Sequence, residues 1–112
     1  MDCIFCKIIS GEIPSAKVYE DEFCFAFKDI APQAPVHIVL VPKKHFESLA
    51  AVQDLDQALL GHLMLAAAKI ARDVGIEESG YRVVTNAGKD AGQTVFHLHI
   101  HIMGGGVMGA LA

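Results

Sequence analysis

The sequence predicts an α+β domain: an antiparallel sheet of about five strands, one long helix and a short amino-terminal helix. Three observations carry this. Val95-Phe96-His97-Leu98-His99-Ile100-His101-Ile102-Met103 alternates histidine with apolar residues, the period of a β-strand. Residues 54–74 repeat apolar side chains at helical spacing, and residues 17–28 read as two short strands joined by a polar turn. At 112 residues the chain is long enough for one hydrophobic core but not two, a single domain over residues 1–112.

The chain opens with Cys3 and Cys6, a C-x2-C pair. Two thiolates at that spacing can reach one tetrahedral ion, or they can be two reduced core thiols. A short first helix ends at Gly11, before Ile13-Pro14. Lys17–Tyr19 and Glu22–Lys28 form the predicted hairpin about Glu20-Asp21, and Phe23, Phe25 and Phe27 alternate along its second strand. That stripe is either aromatic core or the wall of a pocket for a flat base. Two prolines in Ala31-Pro32-Gln33-Ala34-Pro35-Val36 exclude a helix and leave a loop. A strand follows over His37–Val41, with His37, Val39 and Val41 on one face and Pro42 as its stop.

The helix over Asp54–Val74 has a capping-box pattern in Asp54 and Gln57 and a terminator in Gly75. Leu55, Leu59, Leu63, Ala66, Ala67, Ile70 and Val74 form its apolar face, which Leu60 and Met64 widen toward a second subunit. His62 reads as filler in the core or an interface. Tyr81–Thr85 is a further strand. The loop Asn86–Thr94 is glycine-rich and runs straight into the histidine strand. It is either a plain hairpin loop or an anion cradle of backbone amides. Along the final strand His97, His99 and His101 share one face, roughly 6.6 Å apart for a rise of about 3.3 Å per residue. Phe96, Leu98, Ile100 and Ile102 share the other and belong to a core.

Composition narrows the function classes. Net charge is −4 with the six histidines neutral, and no lysine or arginine run occurs, so extended nucleic-acid binding is not expected. No apolar segment approaches the ~20 residues that cross a bilayer, and no leader pattern is present. Three cysteines suit a reducing, cytoplasmic setting better than a disulfide framework. Hydrophobic residues make up 53% of the chain, which hints at a surface covered by a partner subunit.

The histidine row resembles the H-x-H-x-H signature of the histidine triad superfamily of nucleotide hydrolases and transferases. Five further segments resemble its Hint branch in order and spacing: Ile4–Ile9, Phe27–Pro35, Val41–His45, Leu60–Met64 and Asn86–Gly88. The resemblance implies a homodimer with a sheet continuous across the interface. It also implies cleavage of purine nucleoside phosphoramidates, such as adenosine 5′-phosphoramidate, to the nucleoside monophosphate. His99 would be the nucleophile and carry the nucleotidyl intermediate. His101, His37 and Thr94 would assist it, with the backbone of His97 orienting the His99 ring. Phe5, Ile8, Phe27, Asp29, Ile30, Asn86, Gly92, Gln93 and Thr94 would bind substrate together with His99 and His101, Asp29 accepting from the ribose hydroxyls. Zinc-carrying members imply a structural Zn2+ on Cys3, Cys6, His45 and His97.

The tail after Met103, Gly104-Gly105-Gly106 and then Val107–Ala112, resembles the branch least and has no aromatic residue, so selectivity for the leaving group is open. Two other classes remain. A metal-dependent hydrolase would use His97, His99 and His101 as ligands to one catalytic ion. A zinc-stapled nucleotide-binding module would act through protein partners without turnover.

Overall fold

The computed structural model describes residues 3–110; Met1, Asp2, Leu111 and Ala112, read above in the two termini, lie outside them. Helix α1 (Ile4–Ser10) is followed by β1 (Lys17–Glu20), β2 (Cys24–Lys28), β3 (Val36–Pro42), helix α2 (Gln57–Asp73), β4 (Tyr81–Val84) and β5 (Ile100–Gly104). The five strands make one sheet in the order β1-β2-β3-β5-β4, with every neighbouring pair antiparallel.

Period-two alternation sorts side chains between the two faces of this sheet. Cys24, Ala26, Ile38, Leu40, Leu98, Ile100 and Ile102 pack with Leu63, Ala66, Ala67, Ile70 and Ala71 of α2. Phe25, Phe27, Val39 and Val41 pack on the opposite face with Cys3, Phe5 and Ile8 at α1. The aromatic stripe is thus divided: Phe25 and Phe27 are buried, while Phe23 is half-exposed in the turn.

The histidine strand is shorter than the alternation predicts. Its ladder begins at Ile100, and residues 95–97 bend. Its neighbours explain this. β3 stops at Pro42, which has no N–H to donate, and β4 reaches only as far as the Val84–His101 pair. The alternation of sides survives back to His97, but Phe96 turns outward and is 52% exposed instead of joining the core.

The long helix also differs at its start. Asp54–Asp56 is a 3-10 turn, and the side-chain contact forms one residue earlier than expected: Asp56 Oδ2 accepts from the Gln53 amide at 2.9 Å. Three residues per turn rotate Leu55 off the apolar stripe, and it is 74% exposed. Gly75 closes the helix as expected, in a left-handed conformation (φ 81°), with its N–H donating to Arg72 O.

His62 is not buried filler. It reaches across to the β1–β2 turn, where its Nε2 lies 2.6 Å from Asp21 Oδ2. Asp21 also accepts from the Phe23 and Cys24 amides and from Tyr19 Oη. Desolvation pushes its carboxyl up, but these bonds outweigh that and hold it well below the usual carboxylate range. The turn is therefore built on one charged acceptor. Asp21→Ala strands several partly buried donors, and a loss of about 3 kcal/mol is expected in urea unfolding; a loss below about 1 kcal/mol would show that the turn holds without it.

Candidate active site and metal centre

A cleft of about 480 Å³ opens on the α1 face of the sheet. Its wall includes Phe5 and Ile8 from α1, Phe27 from β2, Asp29 and Ile30 beyond it, Thr94 from the glycine-rich loop, and His99 and His101. Eight of the expected substrate-binding residues therefore meet in one cavity. Ile13, Pro14, Ser15 and Val95 are among the other lining residues. The sequence offered no motif that marks these four.

Backbone contacts decide where each histidine carries its proton. The Nδ1 of His99 lies 2.7 Å from the carbonyl of His97. A carbonyl only accepts, so neutral His99 is protonated at Nδ1 and keeps its Nε2 lone pair for the cleft. His37 is reversed, since its Nδ1 accepts from the Gln33 amide at 3.0 Å. Its proton is therefore on Nε2, 2.9 Å from His101 Nδ1. His101 accepts there and turns a donating Nε2–H to the cleft. Sheet register sets up this pair, because His37 stands opposite Met103 and Val39 opposite His101, which puts the two rings diagonally adjacent on one face.

Burial above all, reinforced by His99 and His37 and opposed by Asp29, pushes His101 down to about 4. At neutral pH it is a neutral donor. Asp29 is held at both oxygens: Oδ1 accepts from the Ala31 amide at 2.8 Å, and Oδ2 lies 3.4 Å from His37 Nε2. Each oxygen retains a further lone pair.

His97 leaves the row. Fully buried, it donates through Nε2 to the carbonyl of Pro42 at 2.9 Å. Its Nδ1 lone pair points at Cys3 Sγ (3.3 Å), Cys6 Sγ (3.5 Å) and His45 Nδ1 (3.0 Å). Tetrahedral zinc, with bonds of about 2.3 Å to sulfur and 2.0 Å to nitrogen, sets S–N edges of about 3.5 Å and N–N edges of about 3.3 Å. The four residues lie close enough to bind one metal ion, and the donor set suits zinc. Desolvation keeps His97 in its neutral, ligating form. Burial, with the neighbouring Cys3, raises the Cys6 thiol to about 11; a dication is what makes such sulfurs thiolate near neutrality. Among the described residues, His97, His99 and His101 do not converge as ligands to one ion.

The loop behaves differently from the expected cradle. The Gly92 amide donates to Lys89 O and the Gln93 amide to Gly88 O. The Gln93 side chain is buried and used inside the loop, accepting from the Gly88 amide and donating to Glu47 O and Val95 O. Asn86, Gly92 and Gln93 do not line the cleft. Gln93 fixes the loop's shape, and Thr94 is the residue of this loop that lines the cleft.

The HIT domain family matches residues 10–107. An uncharacterised HIT-like protein of Synechocystis is 58% identical over 104 residues, covering 93% of this chain and 90% of its own length. Among solved structures, a HIT family hydrolase from Clostridium thermocellum is 50% identical with a TM-score of 0.94, covering 97% of this chain and 95% of that one. A histidine triad protein from Clostridium difficile is 48% identical with a TM-score of 0.96, covering 100% and 97%.

The depressed pKa of His101 has a thermodynamic consequence. Between the unfolded value of about 6.5 and the folded value of about 4, the unfolded chain binds the extra proton. The contribution of His101 to stability is complete above about pH 6.5 and is lost as pH falls toward 4. Thermal unfolding followed from pH 7.5 to 5 should show His101→Asn with a shallower acid slope than the parent. Parallel slopes would assign the acid sensitivity to other groups.

Proposed function

The chain belongs to the HIT domain family, and from that premise we propose that it hydrolyses purine nucleoside phosphoramidates, such as adenosine 5′-phosphoramidate, to the nucleoside monophosphate and an amine. The observation that carries this reading is the 2.7 Å bond from His99 Nδ1 to the His97 carbonyl. It fixes the tautomer of the neutral ring, so that the Nε2 lone pair faces a cleft of a size that suits a small-molecule ligand.

In the reaction, His99 Nε2 attacks phosphorus and the P–N bond to the amine breaks. The amine departs with a proton drawn from solvent, which the attacking water of the second step returns, and a nucleotidyl group remains on His99. Positive charge grows on the ring as the new bond forms, and the carbonyl of His97 stabilises it through Nδ1–H. His101 Nε2–H and the Thr94 hydroxyl donate to the phosphoryl oxygens, His37 holding His101 in its donating tautomer. Water then attacks phosphorus, breaks the N–P bond and restores neutral His99. Phe5, Ile8 and Phe27 supply apolar surface for the base, Ile30 lies at the mouth, and Asp29 accepts from the ribose.

Cys3, Cys6, His45 and His97 would hold a structural zinc. Four protein ligands leave the ion no open position, so its contribution is to tie α1 to the sheet. A homodimer is part of the same reading: β4 is an edge strand, and Met64 and Leu65 of α2 are exposed. A cytoplasmic setting suits the free cysteines; no described helix is long and apolar enough to cross a membrane.

Incubation of the purified protein with adenosine 5′-phosphoramidate should release AMP. His99→Ala should lose at least about a thousandfold of that activity while still binding AMP. AMP binding by the parent without turnover would instead make the protein a binding module. Elemental analysis should find about one zinc per chain, and Cys6→Ser should lower both zinc content and the melting temperature; a metal-free parent of full stability would remove the zinc assignment.

A further inference from the structure

The metal cluster and the nucleophile share two residues. His97 has its Nδ1 among the cluster's donor atoms, its Nε2–H on Pro42 O, and its carbonyl on His99 Nδ1. Phe5 stands between the two cysteines in sequence, and its ring lies edge-on to both His97 (6.0 Å) and His99 (5.0 Å). We propose that the Cys3, Cys6, His45 and His97 cluster is a positioning element for His99, its metal state reaching the nucleophile through the His97 carbonyl and the Phe5 ring. This rests on the assignment of His99 as nucleophile and goes beyond a staple for the fold.

The local backbone is what makes the coupling strong. Residues 97–99 lie outside the sheet ladder, which begins at Ile100. Hydrogen bonds anchoring this stretch include Leu98 N–H to Phe46 O at 2.7 Å, Thr85 Oγ1 to His99 O at 2.7 Å, and the contacts of the His97 ring with Pro42 O, Cys3, Cys6 and His45. The direction of the His97 carbonyl therefore depends on where its own side chain is held.

Helix α1 is equally dependent. Seven residues are too few for a helix to persist alone, and its N-cap is Cys3, whose sulfur accepts from the Cys6 amide at 3.3 Å. His45 Nδ1 and His97 Nδ1 lie 3.0 Å apart, a separation that a shared ion holds. With no ion between them the His97 ring loses that constraint, and a turn of the ring breaks its bond to Pro42. A ring that moves takes the carbonyl with it. Displacements of about an ångström near reacting atoms can cost up to about a hundredfold in rate.

The test uses the zinc-loaded protein, a chelator, and zinc alone added back. Turnover of adenosine 5′-phosphoramidate is followed beside NMR spectra of 15N-labelled histidine, in which the bonded Nδ1–H of His99 is identified by its absence in His99→Ala. Removing zinc should lower kcat about tenfold or more with KM within about twofold. The His99 Nδ1–H signal should shift or exchange-broaden while amides of β2 and β3 stay in place, and zinc should restore both. An unchanged His99 signal after zinc loss would overturn the proposal, as would an unchanged kcat in a chain that turns over. If the loaded protein has no turnover, the phosphoramidase reading fails by itself and the NMR arm still decides the coupling. His45→Asn, which weakens the metal set by a change outside the α1 and cleft-wall residues, gives an independent route: it should reproduce both effects, and a normal His99 signal in a zinc-depleted His45→Asn chain would count against the coupling.

Discussion

Alternation between aliphatic and imidazole side chains from His97 to Ile102 is the constraint on which the rest of the molecule depends. Leu98, Ile100 and Ile102 are buried under α2, each worth roughly 1.5–3 kcal/mol against exposure. Together they amount to a large part of the roughly 5–15 kcal/mol that holds a small domain folded. A register slip of one residue would move all three to the α1 face and put the histidines under α2 in their place. The core thus fixes which way the imidazoles face, and every other element of the site is arranged around that face.

Within that face the chemistry is divided by main-chain groups. Three histidines of identical intrinsic chemistry receive different tasks because different backbone partners occupy one ring nitrogen of each. The Pro42 carbonyl accepts from His97 Nε2–H, which keeps the proton there and leaves Nδ1 for the Cys3, Cys6 and His45 cluster. The His97 carbonyl does the reverse to His99, freeing Nε2 for the cleft. The Gln33 amide acts at one remove, setting the proton on His37 and through it the donor of His101. Burial then keeps His101 neutral, because an imidazolium there would lose more hydration than Asp29 returns. The irregular loop of Ala31–Val36, which looked like a mere connection, earns its place through a single amide.

Legibility differed with the physical origin of each feature. The four candidate metal ligands could be named because Cys3 and Cys6 are a local pair and His45 and His97 stand in segments that resemble a known pattern; the structure brings all four close enough to bind one ion. The hairpin and the end of α2 at Gly75 were visible because turn and cap chemistry is local. The capping contact before α2 was placed one residue late, since both Gln53/Asp56 and Asp54/Gln57 fit a capping box and only the 3-10 turn distinguishes them. His62 was misjudged because its partner, Asp21, lies 41 positions away in the chain. The glycine-rich loop could be a plain connection or a cradle of amides, and the Gly88, Gly92 and Gln93 amides are bonded within it while the Gln93 side-chain amide ties it to Glu47 and Val95. Nothing in a glycine count tells a ligand-facing amide from one already bonded.

By itself the sequence determined the faces: periodicity of two and of 3.6 assigns each side chain to core or opposite face without knowledge of its neighbours, and with that came the fold class, the long helix and the shared side of the histidines. Tertiary structure alone decided the extent of the final ladder, which ends where β3 meets Pro42 and β4 meets Val84, and so the outward turn of Phe96. It alone also decided the proton positions, since a tautomer is set by whichever carbonyl or amide long-range packing brings to the ring. Side-chain identity supplies the capacity for chemistry, and the hydrogen-bond partners, distant in sequence, select which capacity each histidine uses.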